Sequence, residues 1–203
     1  MRQAIESWGD YDVCNAEDLL PSRFEHAKPC LVANGKLVDF SKETVIVVVV
    51  RDLLNWWASY TNWIHKTWVP NKKQIDYAFH IWASMVTLAT DYLDYNIPIN
   101  YDIFKKSRPF RELVCNCLNG KYNESTLNKV TPQGNGSSFD PGDKADTMDT
   151  HLRYQRIMHT THADFYIKTL NEHPKAIETY KTHFKNHMTK DQNEFLNVFI
   201  KQT

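Results

Sequence analysis

The run from Val45 to Val50 constrains the fold more than any other segment of the chain. It consists of six consecutive branched aliphatic residues, VIVVVV. A strand that is apolar at every position has no polar face to turn to water. We therefore expect it in the middle of a sheet that is covered on both sides, which is typical of parallel sheets in α/β proteins.

The residues after this strand change to a helical period. Apolar residues between positions 53 and 64 form one broad stripe, and Asp52 stands at the start, where a negative charge suits the helix dipole. A second amphipathic pattern covers 74–94. A short strand is predicted at 97–101, and a helix at 110–120 that ends at a glycine.

The carboxyl half is predicted to be rich in helices. A glycine, proline and serine-rich loop covers 131–143, and helices are predicted over 148–170, 174–186 and 190–200. Near the amino end, Asn34-Gly35 between short apolar pairs predicts a tight hairpin turn. Strands alternating with helices predict a single α/β domain over 1–203.

Composition excludes some classes of partner. Lys plus Arg equals Asp plus Glu at 24 each, which argues against a sequence-independent nucleic-acid binder. No apolar run reaches the roughly 18–20 residues that span a bilayer, and no signal-peptide pattern opens the chain. We expect reduced thiols and a cytoplasmic location, although the sequon at 123–125 points the other way. The four cysteines are Cys14, Cys30, Cys115 and Cys117.

Arg51 and Ser59 are the first candidates for a binding site. Ligands of open α/β sheets bind outside the carboxyl ends of the strands, and Arg51 directly follows the apolar strand. Its guanidinium group matches phosphate or carboxylate. Ser59 lies about 12 Å further along the helix and roughly 80° around it, so both contact one phosphate if Arg51 extends along the helix. The alternative is an arginine paired with a local acid and an ordinary surface serine.

Two further features are candidates on weaker grounds. The loop GNGSSFD at 134–140 offers backbone N–H groups and hydroxyls that can surround a phosphate, although the same composition suits a surface turn. Among nine histidines, His159 and His162 have helical spacing without a metal-binding motif, so no metal site is predicted. His26 precedes the apolar strand and is a candidate general base, with a solvated loop histidine as the alternative.

In series, these segments resemble PAPS-dependent sulfotransferases of the P-loop-like fold. In that family an arginine after a core strand and a serine eight residues later hold the 3′-phosphate of PAPS, which here implies Arg51 and Ser59, with Leu53 where proline is frequent. The segment INYD resembles the family's Tyr-Glu-Asp-Leu strand end, which implies that Tyr101 lies near the adenine or its phosphate. The late loop resembles a Gly-Ser-Ser-Phe version that returns to the 3′-phosphate. Its residues are Gly136, Ser137, Ser138 and Phe139.

The resemblance implies transfer of a sulfuryl group from PAPS to a hydroxyl or amine of a small-molecule or glycan acceptor, without a metal. His26 is the residue placed to act as the base. One departure is important: no glycine, serine and threonine-rich loop for the 5′-phosphosulfate precedes Val45. The chain is then an amino-terminally truncated or divergent member, or an inactive domain that binds a 3′-phosphonucleotide. A third alternative is a protein-interaction domain that docks a partner through its tryptophan-rich segment, 56–68.

Overall fold

A computed structural model describes residues 30–33, 36–39, 45–67, 70–91, 96–125 and 152–201. The chain divides into two compact units, the first formed by 1–50 with 84–129 and the second by 51–83 with 130–203. The described elements, in chain order, are β1 (Cys30–Ala33), β2 (Lys36–Asp39), β3 (Ile46–Val50), α1 (Leu53–Thr67), α2 (Lys72–Asp91), β4 (Asn96–Asn100), α3 (Tyr101–Lys106), α4 (Arg108–Cys117), α5 (Arg153–Ile157), α6 (Ala163–Glu172), α7 (Pro174–His183) and α8 (Lys190–Phe199).

The strands of the first unit form two pairs. β1 and β2 are antiparallel, with Ala33 opposite Lys36. This register leaves a two-residue connection, as the Asn34-Gly35 dipeptide predicts. β3 and β4 are parallel, with Val50 opposite Asn100. The parallel pair agrees with the α/β prediction, although helices make up most of the described residues.

Burial of β3 is less complete than its sequence predicts. Val48 is 1% exposed, and Val47 packs against the core of the first unit. Val49 is 43% exposed. The prediction that both faces are buried along the whole strand is therefore wrong near its carboxyl end.

A small apolar cluster holds α3 and α4 against β4. Its buried members include Ile99, Phe104 and Val114. The residue Asn119 ends the α4 segment in the left-handed region at φ 55°, and the Gly120 N–H donates to the carbonyl of Cys115 at 2.9 Å. A glycine was expected to stop this helix, and the left-handed residue is the asparagine before it.

The second unit is a helical assembly around an aromatic core. Trp57 on α1 is fully buried, and its indole N–H donates to the Thr169 hydroxyl on α6 at 2.7 Å. The Tyr166 hydroxyl, also on α6, donates to the carbonyl of Leu54 at 3.0 Å. Trp57 thus belongs to the core and not to a docking surface, whereas Trp63 is 46% exposed.

The predicted helix over 148–170 is wrong as a single element. Described residues show α5 ending at Ile157 and α6 beginning at Ala163. Between them the Thr160 hydroxyl donates to the carbonyl of Ile157 at 2.8 Å and accepts from the His162 N–H at 3.2 Å. A hydroxyl that bonds local backbone groups competes with the helical ladder, which explains the interruption.

None of the described helices is long and apolar enough to cross a membrane.

Candidate functional site

Arg51 and Ser59 are in direct contact in the second unit. A terminal nitrogen of Arg51 donates to the Ser59 Oγ at 3.2 Å. Arg51 directly follows β3, and its own carbonyl accepts from the Trp82 indole N–H at 2.9 Å, which fixes the backbone there. The side chain therefore extends along α1 to reach the serine, as the spacing of the two residues requires.

A second arginine reaches the same hydroxyl. Arg153, the first residue of α5, donates from a terminal nitrogen to the Ser59 Oγ at 2.6 Å. It is 7% exposed. Sequence reasoning missed it because it lies 94 residues from Ser59. The available signal was its position near the start of the helix that follows the candidate loop at 134–140.

The Ser59 hydroxyl joins the two arginines to the backbone of α1. A hydroxyl has one donor and two acceptor positions. Ser59 accepts from both guanidinium groups and donates to the carbonyl of Asn55 at 2.9 Å. The hydroxyl therefore has a fixed orientation, with both lone pairs directed at cations. We call Arg51, Ser59 and Arg153 the arginine–serine cluster.

Asp52 and Asn55 form a buried frame beside the cluster. Asp52 accepts the Asn55 backbone N–H at 2.9 Å and the Asn55 side-chain amide at 2.7 Å. The first bond caps the amino end of α1, where a carboxylate was expected on electrostatic grounds. The Gln192 amide donates to Asp52 at 3.4 Å. Asp52 is 6% exposed and Asn55 is fully buried.

The spacing of the two guanidinium groups allows both to contact one anion. Both terminal nitrogens contact one oxygen, so they are no more than about 6 Å apart. Two unit charges at that separation repel by about 3 kcal/mol at an effective dielectric constant of about 20. The oxygen that they share is a neutral hydroxyl, and a phosphate group offers several charged oxygens to the same fork of donors.

The surroundings of Asp52 are dry. Burial raises the pKa of Tyr166 well above its usual value, and the charge of Asp52 and the neighbouring Tyr154 add to the shift. Burial is likewise the main cause that raises the pKa of Tyr154, with smaller contributions from neighbouring groups. Both phenols therefore stay neutral at physiological pH, and the Tyr166 hydroxyl keeps its hydrogen bond to the Leu54 carbonyl.

Of the other predicted site residues, only Tyr101 lies among the described residues. Tyr101 belongs to the first unit and begins α3 directly after β4, so the prediction that it ends a strand is off by one residue. The side chain of Asn100 caps that helix by accepting from the backbone N–H groups of Asp102 and Ile103. His26 and the loop residues at 136–139 lie outside the described residues.

Metal binding has no support among the residues that the structure describes, where no group of three or more His, Cys, Asp or Glu side chains could hold an ion. His65 and His162 stack with ring centroids 4.0 Å apart and nearly parallel planes. Stacked imidazoles direct their nitrogens side by side, so this pair does not converge on a metal.

Comparison of the chain with family models, curated proteins and solved structures gives no match.

Proposed function

We propose that the arginine–serine cluster binds the 3′-phosphate of PAPS and that the chain transfers the sulfuryl group to a hydroxyl or amine. The observation that carries the proposal is the convergence of Arg51 and Arg153 on the Ser59 hydroxyl. The order of the sequence segments, which resembles P-loop-like sulfotransferases, adds the identity of the nucleotide. That fold, with PAPS as the co-substrate, is part of the proposal.

The cluster supports recognition of a terminal phosphate in particular. A phosphomonoester carries close to two negative charges near neutral pH. Two guanidinium groups balance that charge and donate several N–H groups to its oxygens. A neutral hydroxyl between them adds one more donor or acceptor, provided that Ser59 exchanges its bond to Asn55 for one to the phosphate.

The transfer step requires groups besides the cluster. The acceptor loses a proton, its oxygen or nitrogen forms the new bond to sulfur, and the bond from sulfur to the phosphate oxygen breaks. The products are the sulfated acceptor and adenosine 3′,5′-bisphosphate. His26 is the proposed base, and cationic or N–H donors would stabilise the charge on the leaving phosphate.

A second candidate function is binding of a 3′-phosphonucleotide without transfer. It is favoured because the described contacts bring together donors for an anion, whereas His26, the proposed base, lies outside the described residues. Both functions share the same cluster and predict the same ligand.

The test is thermal denaturation with adenosine 3′,5′-bisphosphate, using adenosine 5′-monophosphate as the control ligand. A ligand that binds only the folded state raises the melting temperature, and 100 times its dissociation constant adds about 2.7 kcal/mol. We expect the bisphosphate alone to produce the shift, Arg51→Ala to remove it and Arg153→Ala to reduce it. Arg108→Ala, an exposed arginine paired with Glu112 in the first unit, is the matched control.

Absence of a shift for the wild-type chain would overturn both candidate functions. Where binding occurs, transfer of radiolabelled sulfate from PAPS to a panel of alcohols, phenols, amines and glycans separates them. Turnover that His26→Ala abolishes supports the enzyme, and binding without turnover supports the second candidate.

A further inference from the structure

The short helix α5 is capped by a residue from another helix. Its N-cap residue, Leu152, makes no side-chain capping bond. Instead the Asn55 Oδ1 accepts the backbone N–H groups of Arg153 at 2.8 Å and Tyr154 at 3.3 Å. Asparagine satisfies helix amino ends well, but here it does so across 98 residues of sequence.

Asn55 holds both partners of the cluster's shortest contact. Its side-chain oxygen fixes the main chain of Arg153, and its backbone carbonyl accepts the Ser59 hydroxyl. Asn55 is therefore hydrogen-bonded to both residues of the 2.6 Å contact between Arg153 and Ser59. A change in the orientation of the Asn55 amide would displace the guanidinium relative to the serine.

The amide of Asn55 has one orientation that satisfies its neighbours. Its nitrogen donates to the Asp52 carboxylate. The amide oxygen has no hydrogen to donate to that carboxylate, so the oxygen must face α5. Asp52 is in turn contacted by Gln192, whose side-chain oxygen accepts the Thr189 N–H in the capping box of α8. Three helices, α1, α5 and α8, thus meet through one chain of hydrogen bonds.

We propose that Asn55 is a positioning residue, which places Arg153 against Ser59 and so completes the anion site. The part that concerns ligand affinity rests on the function proposed above. The placement of Arg153 does not, because it concerns the chain without ligand. Asn55 acts on the ligand only through Arg153, and the same dependence is not expected for Arg51.

Amide hydrogen exchange, measured by NMR on the protein without ligand, tests the placement. We expect Asn55→Ala to lose at least tenfold protection at the amides of Arg153 and Tyr154, because their shared acceptor is removed. The double variant Asp52→Asn/Asn55→Asp exchanges donor and acceptor between the two side chains, keeps an oxygen facing α5 and should retain protection at both amides. Asn171→Ala is the matched control, since Asn171 also accepts a distant backbone N–H, that of Lys201, at 2.8 Å.

Binding of adenosine 3′,5′-bisphosphate by calorimetry tests the coupling. We expect Asn55→Ala to weaken binding about tenfold in the wild-type background, less than twofold in Arg153→Ala, and again about tenfold in Arg51→Lys. Such a dependence on one background is the signature of two residues that act as a unit. A general loss of structure would weaken binding in every background.

Each outcome tests a different part of the proposal. Unchanged exchange at Arg153 in Asn55→Ala overturns the placement, and an equal loss of affinity with and without Arg153 overturns the coupling. If Asn55→Ala fails to fold, loss of Arg153 protection in the Asp52→Asn/Asn55→Asp double variant overturns the placement instead. No binding by the wild type with normal exchange behaviour overturns the proposed function and the coupling, while Asn55 stands as the cap of α5.

Discussion

Replacing Thr169 by valine should destabilise the second unit through the indole of Trp57. The Thr169 hydroxyl is the acceptor of the indole N–H at 2.7 Å, and both residues are almost fully buried. Valine has nearly the same shape but no acceptor. The indole N–H then stays in an apolar core without its hydrogen bond.

The expected loss in the free energy of unfolding is about 1–3 kcal/mol. That range is the cost of leaving a buried polar group unsatisfied. The threonine hydroxyl also donates to backbone carbonyls one turn earlier, at 2.8 Å to Phe165 and 3.1 Å to Tyr166. Those carbonyls remain acceptors in the helix, so most of the loss should come from the indole.

Urea denaturation followed by tryptophan fluorescence measures this loss. With a denaturant slope of about 1–3 kcal/mol per molar, the midpoint should fall by roughly 1 M. Thr179→Val is the matched control. Thr179 bonds the carbonyl of Lys175 in the same way on the exposed side of α7, and its replacement should change stability by less than about 0.5 kcal/mol.

A double-mutant cycle with Trp57→Phe decides the mechanism. Phenylalanine removes the indole N–H, so Thr169→Val should cost at least about 1 kcal/mol less in that background. The reasoning is refuted if the cost of Thr169→Val is the same with tryptophan and with phenylalanine at position 57. A loss below about 0.5 kcal/mol in the wild-type background would refute it equally.

Three other predictions concern acid, a turn and the cluster. Burial, and the charge of His162, lower the pKa of His65. The contribution of neutral His65 to the free energy of unfolding is therefore complete above the ordinary pKa near 6.5 and is lost as the pH falls below it. His162→Gln should reduce that loss in urea titrations at different pH values. Asn119→Ala should cost about 1 kcal/mol because alanine disfavours φ 55°, whereas Asn119→Gly should not, by the same denaturation assay. Ser59→Ala should weaken bisphosphate binding about tenfold in calorimetry, and unchanged affinity would count against the cluster as the site.

Sequence reasoning was most successful where the relevant interactions are local. The eight-residue spacing of Arg51 and Ser59 indicated that the arginine must extend along the helix to meet the serine, and the two side chains are in contact. The periodic segments predicted α1 and α2 to within a few residues. The hydrophobic period and the end of the strand were sufficient for these predictions, because helix geometry fixes the distances between residues close in sequence.

The sequence could not supply what depends on long-range packing. Arg153 and Asn55 are far apart in the chain, and neither belongs to a recognisable motif, so their contact had no sequence signal. The break between α5 and α6 depends on whether a threonine hydroxyl prefers local backbone groups, which periodicity does not report. The exposure of Val49 depends on which elements cover β3.

The division of the cluster between distant segments has a consequence for how the protein is made. Arg51 and Ser59 are synthesised before Arg153, which follows 94 residues after Ser59, and Gln192, which contacts Asp52, comes later still. At roughly 5–20 residues per second of synthesis, the first half of the site waits several seconds for the second. During that interval Asp52 and Asn55 lack their later partners. A nascent chain arrested before residue 153 should therefore not show the bisphosphate binding expected of the complete chain.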